Sequence, residues 1–540
     1  MGCFIMQRIA QTIIGLALLI ATSLLLFPST AEAVPSYTRR YGFDCNSCHT
    51  MWGALNAAGI TFRLSGYRAM FGKDLVPIEE GHDINIPGVN VKIPNSLPLS
   101  FVTGVGYDQR SEKRTAFDGT VTTRRAATGA LEDASIFLTS PIGDRFAAFV
   151  EFPMYETRAW EFTPVGQSGI TADGSPGGAN DKTAFRNFSF NTEKPIFEVA
   201  KFWWNNLLGD NLPRDSVNGL VGITHLPLAY SPGKVRLSVN QYPIYEYRAL
   251  ELLSPIHTSF MGGANDLFRL SEPQILGELN GMWVPGGAVT DSAKRETFWL
   301  EYHVGTTTAH NDTTNNNGQF GAYGRLVGRY YNQSLGFFGF YKGDTYDDAL
   351  RDPATSAFVI NQLNGLGGVT NTGVFNPLAP RAANSATALG VDGTLSLAPW
   401  AIPVALDNQY MWRRESNPTG FNQAFTWQGG FHQLNWFINP QVVTYGRYDW
   451  LRGNRFNDTP FGGITFADPR QHDYVAGIQY APWPNVKLVG EYRYRVFEDR
   501  AVGTPADIAG CAVTCQPYLN RATTASIVDN GFTARLMMGF

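Results

Sequence analysis

Val486-Lys487-Leu488-Val489-Gly490-Glu491-Tyr492-Arg493-Tyr494-Arg495-Val496-Phe497 separates into two faces when taken at every second residue. Val486, Leu488, Gly490, Tyr492, Tyr494 and Val496 form an apolar face. Lys487, Val489, Glu491, Arg493, Arg495 and Phe497 form one that is mostly polar. Successive side chains of a strand point to opposite sides, so one face suits lipid and the other a wet interior. The preceding stretch behaves alike, with Tyr474, Ala476, Ile478 and Tyr480 opposite Asp473, Val475 and Gln479, and Pro482-Trp483-Pro484-Asn485 joins the two as a tight turn.

Working outward, the same punctuation recurs. Short connections stand at Ser140-Pro141-Ile142-Gly143, Tyr331-Asn332-Gln333-Ser334 and Ile438-Asn439-Pro440, and long polar stretches at Ala309 to Gly318 and Asp352 to Ser385. Short turns at one end and long loops at the other are the pattern of a transmembrane barrel. Phe532, Ala534, Leu536, Met538 and Phe540 alternate up to a terminal aromatic. This ending resembles the signal read by the outer-membrane assembly machinery. Such a last strand would pair with the first and leave no open edge. Charged residues are 16% of the chain, against roughly 25% in soluble domains, and no apolar run beyond the N-terminus is long enough for a spanning helix. A soluble β-sandwich is the competing fold; the aromatic-rich strands and low charge weigh against it. The expectation is a mainly β chain: a transmembrane antiparallel β-barrel of sixteen or eighteen strands over residues 97–540, with weak candidates around Phe197 to Tyr242.

Residues 1–33 carry Arg8, an apolar run from Ile13 to Phe27 and then Ala31-Glu32-Ala33, the layout of a secretory signal cleaved before Val34. The run is short for a membrane anchor. Export implies an oxidising compartment, which bears on Cys45, Cys48, Cys511 and Cys515. Cys45-Asn46-Ser47-Cys48-His49 is the c-type haem attachment pattern. Two thiols add to the haem vinyl groups, and the adjacent imidazole supplies the proximal iron ligand. A zinc site lacks a second ligand pair, and no thioredoxin-like unit surrounds the motif to suggest a redox disulfide. One covalent haem c is therefore expected on Cys45 and Cys48, with His49 on the iron. Met70, at the end of a helix-like stretch from Trp52 to Phe71, and His82 are the candidates for the distal ligand, and the choice between them, or neither, stays open.

The haem-bearing segment, residues 34–96, ends at a linker marked by Pro87, Pro94 and Pro98. A segment of this length buries little surface, so the expectation is a small α-helical cytochrome segment sheltered in the barrel lumen and plugging it. An even strand number puts both barrel termini on the periplasmic side. Ala501 to Ala525 is then an external loop, in which Cys511 and Cys515 would form a small disulfide. The net charge of −4 and the absence of a basic tract argue against a nucleic-acid partner.

At this point the chain resembles the outer-membrane cytochrome–porin fusions of bacteria that oxidise iron or exchange electrons with extracellular substrates. The residues that carry the resemblance are Val34-Pro35, Phe43-Asp44-Cys45-Asn46-Ser47-Cys48-His49, Leu55-Asn56 and Phe62-Arg63-Leu64-Ser65-Gly66-Tyr67. The barrel is similar only in architecture. The resemblance implies an outer-membrane protein set in lipid that moves single electrons through the haem. It implies Fe(II):cytochrome c oxidoreductase activity, with extracellular Fe(II) as donor and a periplasmic cytochrome or copper protein as acceptor. Outward transfer to minerals, a solute porin with a haem-bearing plug, and a soluble periplasmic haem enzyme are the alternatives. No catalytic or iron-binding residue transfers from the family. Asp344, Asp347, Asp348 and Asp352 have ligand chemistry for Fe(II), though a solvated loop is the simpler explanation of them. Glu491, Arg493 and Arg495 read as lumen packing or as contacts to haem propionates.

Overall fold

A computed structural model describes residues 37, 48–51, 54–68, 70–71, 74–75, 82–86, 89–93, 99–116, 121–142, 145–156, 199–209, 212–230, 237–247, 270–271, 273–287, 297–308, 320–345, 383–416, 424–454, 456–458, 464–466, 469–483, 485–498 and 524–539. The leader, Cys45, Cys511, Cys515, Asp347, Asp348, Asp352 and Phe540 lie outside the described residues.

Sixteen strands close into one antiparallel barrel. In order they are β1 (Leu99–Ala116), β2 (Val121–Ile142), β3 (Phe146–Glu156), β4 (Val199–Trp204), β5 (Asn218–Thr224) and β6 (Gln274–Trp283). Next come β7 (Trp299–Thr307), β8 (Gly321–Tyr330), β9 (Gln333–Thr345), β10 (Ala383–Ser396) and β11 (Val404–Glu415). The last five are β12 (Phe425–Asn439), β13 (Val442–Gly453), β14 (Arg470–Trp483), β15 (Val486–Glu498) and β16 (Thr524–Gly539). The seam pairs β16 with β1, from Thr524 opposite Ala116 to Gly539 opposite Val102. The lower of the two expected strand numbers holds, and the last strand meets the first as its alternation required.

The two faces of β15 separate as the sequence indicates: Lys487, Val489, Glu491 and Phe497 are buried inward, while Tyr492 and Tyr494 are exposed outward. The outer wall carries exposed Leu326, Phe337, Leu389, Leu434 and Ile478. Trp283, Tyr330, Trp436 and Tyr480 flank them toward the turn end, and Tyr341, Tyr474 and Tyr494 toward the loop end. An apolar band between aromatic girdles is the surface a bilayer selects. The β8–β9 connection is a two-residue hairpin with Tyr331 at φ 50° and Asn332 at φ 64°. Positive φ at both central residues suits the twist of antiparallel strands.

The weak strands near Phe197 to Tyr242 resolve into β4 and β5 in the wall, after which the chain leaves the wall at Thr224 and folds inward. Leu226, Leu228, Tyr230, Tyr242, Ile244, Tyr245 and Leu270 of this inward loop pack in the lumen against Phe338, Met411, Trp427 and Phe431. A short helix, Pro243–Glu246, lies within it. The helix expected over Trp52 to Phe71 is only Ala57–Leu64, called α1. Its end is set by Gly66 and Tyr67, at φ 67° and 59°, a left-handed turn that a continuing helix cannot contain. Met70–Phe71 pairs with Asp74–Leu75, and His82–Ile86 pairs with Val89–Ile93. Among its described residues the segment holds short hairpins and one short helix, and Pro87, Pro94 and Pro98 lie outside those residues.

Candidate functional site

The motif meets α1 directly. Asn56 caps the helix, its Oδ1 accepting from the Gly59 amide at 2.9 Å, and the Asn56 amide donates to the Cys48 carbonyl at 3.0 Å. A Cβ at position 59 would collide with that carbonyl, so glycine is what lets the helix rest on Cys48. Cys48 is a half-buried free thiol, and burial pushes its pKa up. His49 follows it at the start of a short strand, with its Nδ1 buried.

The segment docks inside the barrel at the short-turn end. Leu64 and Ile60 pack on Met282, Val284 and Trp299 at the facing ends of β6 and β7. Tyr67 stacks on Phe149 of β3 at 5.5 Å and meets Trp203 of β4 edge-on at 5.3 Å. Tyr37 packs on Phe62 and Tyr67. The Ser65 carbonyl accepts from Asn205 Nδ2 at 3.2 Å, and Arg68 pairs with Asp215 in the turn after β4. Burial raises the Asp215 carboxyl, with Arg68 and Arg214 drawing it back. Tyr67 is pushed up to about 12, chiefly by burial, with Arg63 acting the other way. Lys201 of β4 places its Nζ over the rings of Phe149 and Trp203, at 5.1 and 4.8 Å.

A second polar layer lies on the neighbouring lumen wall. His303 bridges Glu278 (Nδ1 to Oε1, 2.8 Å) and Glu301 (Nε2 to Oε1, 3.0 Å). Glu278 also accepts from Tyr323 at 2.8 Å, and Glu301 from Arg329 at 2.8 Å. The two carboxylates flank opposite edges of one imidazole, and no group of three or more such side chains converges for a metal ion among the described residues.

The inward loop is held from the far wall. Glu491 accepts from Ser238 Oγ (2.6 Å), the amides of Val239 (3.0 Å) and Asn240 (3.2 Å), and Tyr445 Oη (2.6 Å), besides Asn240 Nδ2. Tyr242 stacks on Phe431 at 4.0 Å and donates to Gln433. Tyr245 donates to Gln409 at 2.6 Å. Arg447 donates to the Asn240 carbonyl, and Arg413 to that of Tyr247. The loop thus crosses from β5 and β6 to β11–β15. Arg493 contacts Asn240 and Asp529, and Arg495 contacts Asp473. The polar face of β15 secures this loop and its own neighbours.

The closed ring, the apolar outer band and the turn–loop asymmetry decide the class. The fold is that of an outer-membrane β-barrel. No family model and no curated protein matches the chain. Solved structures similar to it include the anion-selective porin from Comamonas acidovorans, at 8% identity over 82% of this chain and 100% of that one, TM-score 0.42. OprB of Pseudomonas putida matches at 9% identity over 82% and 94%, TM-score 0.38. Outer-membrane expressed OmpT of Vibrio cholerae matches at 12% identity over 81% and 98%, TM-score 0.35. The likeness is one of fold alone.

Of the sequence-derived site residues, Cys48 and His49 sit together against α1. Met70 and His82 fall in two separate short hairpins, and Asp344 lies within β9, opposite Asn384. Sequence reading missed the Arg68–Asp215 pair, Lys201 and the Glu278–His303–Glu301 bridge. Each is an isolated charge on an alternating strand or in a turn, and nothing local marks it as paired across the lumen. The haem chemistry expected at the motif fits the residues present. Cys48 offers a free thiol next to the His49 imidazole, and α1, which rests on Cys48, leads to the aromatic rings of Tyr67, Phe149 and Trp203.

Proposed function

We propose that this barrel is an outer-membrane c-type cytochrome that moves single electrons between the cell exterior and the periplasm. Extracellular Fe(II) is the donor, and a periplasmic cytochrome or copper protein is the acceptor. The observation that carries the reading is the docking of the segment beginning at Cys48-His49 inside the barrel, at the end where both barrel termini lie. Cys45 and Cys48 would hold the haem, His49 would bind its iron, and Met70 or His82 would complete the coordination. A haem c there would supply a one-electron couple. The chain's own part is structural: α1 fixes the motif against the wall, the aromatic rings exclude water, and the inward loop obstructs the bore. Fe(II) loses one electron outside, and the carrier gains one inside.

Wild-type protein purified in detergent should carry covalent haem by mass and by peroxidase staining. Its absorption band should shift to the reduced form on adding Fe(II) across the pH range where Fe(II) stays soluble. Haem that no Fe(II) concentration reduces would remove the iron-oxidation reading, and a haem-free chain would remove the cytochrome reading. His49→Ala should lose normal iron ligation while the barrel still assembles. The second reading, a solute porin with a haem-bearing plug, is favoured by the porin-like wall; a large steady conductance in planar bilayers would support it.

A further inference from the structure

We infer that Lys201 and Arg63 form an anion site built for the two propionate carboxylates of a haem held at Cys48 and His49; the inference rests on the cytochrome reading above.

Lys201 lies on the lumen side of β4, partly buried between two aromatic faces. Among the described residues it is paired with no carboxylate. The charges that act on it are Arg63, which repels it, and Glu278, a weaker attraction. Glu278 is already engaged by His303, Tyr323 and Asn280. A like-charged pair facing a low-dielectric interior with no counter-ion is costly. Such a pair is maintained where an anion offsets it.

Placement says which anion. Gly59 abuts the Cys48 carbonyl, and residues four apart on a helix share a face. Arg63 therefore lies on the face of α1 that touches the motif, one turn along. Tyr67 and Lys201 share the rings of Phe149 and Trp203, so the ammonium borders the same dock. A haem tethered by its vinyl edge presents its two carboxylates at the opposite edge. Two cations at one end of the dock match that pair in number and sign. Arg63 also stands in the last turn of α1, where a cation suits the helix dipole. That role explains Arg63 alone and leaves Lys201 without a reason.

The test uses the full-length protein in detergent, as wild type, Lys201→Met, Lys201→Gln and Lys201→Arg. Each is made with the haem motif intact and in a Cys45→Ala/Cys48→Ala background that carries no covalent haem. With haem bound, Lys201→Met and Lys201→Gln should lower the midpoint potential, because uncompensated carboxylates favour the oxidised iron; Lys201→Arg should restore it. Thermal release of the N-terminal segment, followed by proteolysis, should come earlier in these variants. In the haem-free background the same substitutions should leave release unchanged or delay it, since they remove an unneutralised charge. Equal destabilisation in both backgrounds, with an unchanged potential, would mean that Lys201 serves only its ring contacts and would overturn the inference while sparing the cytochrome. Absence of haem from the wild type would overturn both.

Discussion

Arg68 donates from Nη2 to Oδ1 of Asp215 at 2.7 Å, with both side chains sealed at 3% and 0% exposure. This pair ties the N-terminal segment to the barrel across 147 residues of chain. Removing one member leaves a buried charge alone, at a cost of about 3–5 kcal/mol. Arg68→Ala should therefore expose residues 54–68 to hydrogen exchange and protease at temperatures where the wild type protects them. The barrel itself should keep its heat-modifiable migration on gels. Unchanged protection of α1 would show that Tyr67 and Leu64 suffice to hold it.

Gly59 controls how closely α1 approaches the attachment motif. Gly59→Ala must move either the helix or the Cys48 carbonyl, because the new methyl has no room. Overpacking of this kind costs about 1–3 kcal/mol. The expected result is a lower yield of covalently haem-loaded chain by intact mass, with normal barrel assembly. Full loading in the alanine variant would count against a role for this contact in presenting Cys48.

Tyr67 gives the dock an alkaline limit. Its folded pKa of about 12 lies above the ordinary value of 10.0. Stability from this group is thus complete below pH 10 and is lost as pH rises through about 12. A shift of this size corresponds to on the order of 2–3 kcal/mol. Tyr67→Phe should remove that part of the alkaline release of the N-terminal segment, measured by proteolysis between pH 9 and 12. Identical alkaline profiles would place the titration elsewhere.

Glu491 gathers the inward loop. Hydrogen bonds to a charged acceptor contribute about 1.5–3 kcal/mol each, and Ser238, Val239, Asn240 and Tyr445 all donate to this one carboxylate. Glu491→Gln should loosen the loop and raise single-channel conductance in planar bilayers relative to wild type. Conductance that stays at the wild-type level would assign the obstruction to Tyr242 and Tyr245 and their stacking on the far wall.

The barrel was legible because its physics is periodic: on β15, every second residue meets lipid, and the same alternation runs on into a terminal aromatic strand. The inward loop was harder to place for a related reason. Leu226-Pro227-Leu228 and Leu237-Ser238-Val239 alternate like wall strands, since a loop packed in a lumen also buries one side and wets the other. Pro227, Pro232 and Pro243 were the warning, because proline cannot donate in a central strand. The end of α1 was missed because the left-handed turn falls on Ser65-Gly66-Tyr67, and tyrosine seldom marks such a turn. Of the site, the Cys48-His49 pair was visible as a motif. Lys201 was not: one lysine in Val199-Ala200-Lys201-Phe202-Trp203-Trp204 looks like any inward polar position.

The seam between β16 and β1 has a bearing on the order in which the chain matures. Its partners lie more than four hundred positions apart, as with Thr524 and Ala116, and pairings of such separation carry the largest loop-closure penalty and form late. Among the described residues the N-terminal segment, by contrast, meets β2, β3, β4, β6, β7 and the turns beside them, all within the first seven of the sixteen strands. An open sheet of those first seven strands already offers it these contacts. The segment can therefore be seated, with whatever its thiols carry, on an unfinished wall, and the ring is zipped around it afterwards.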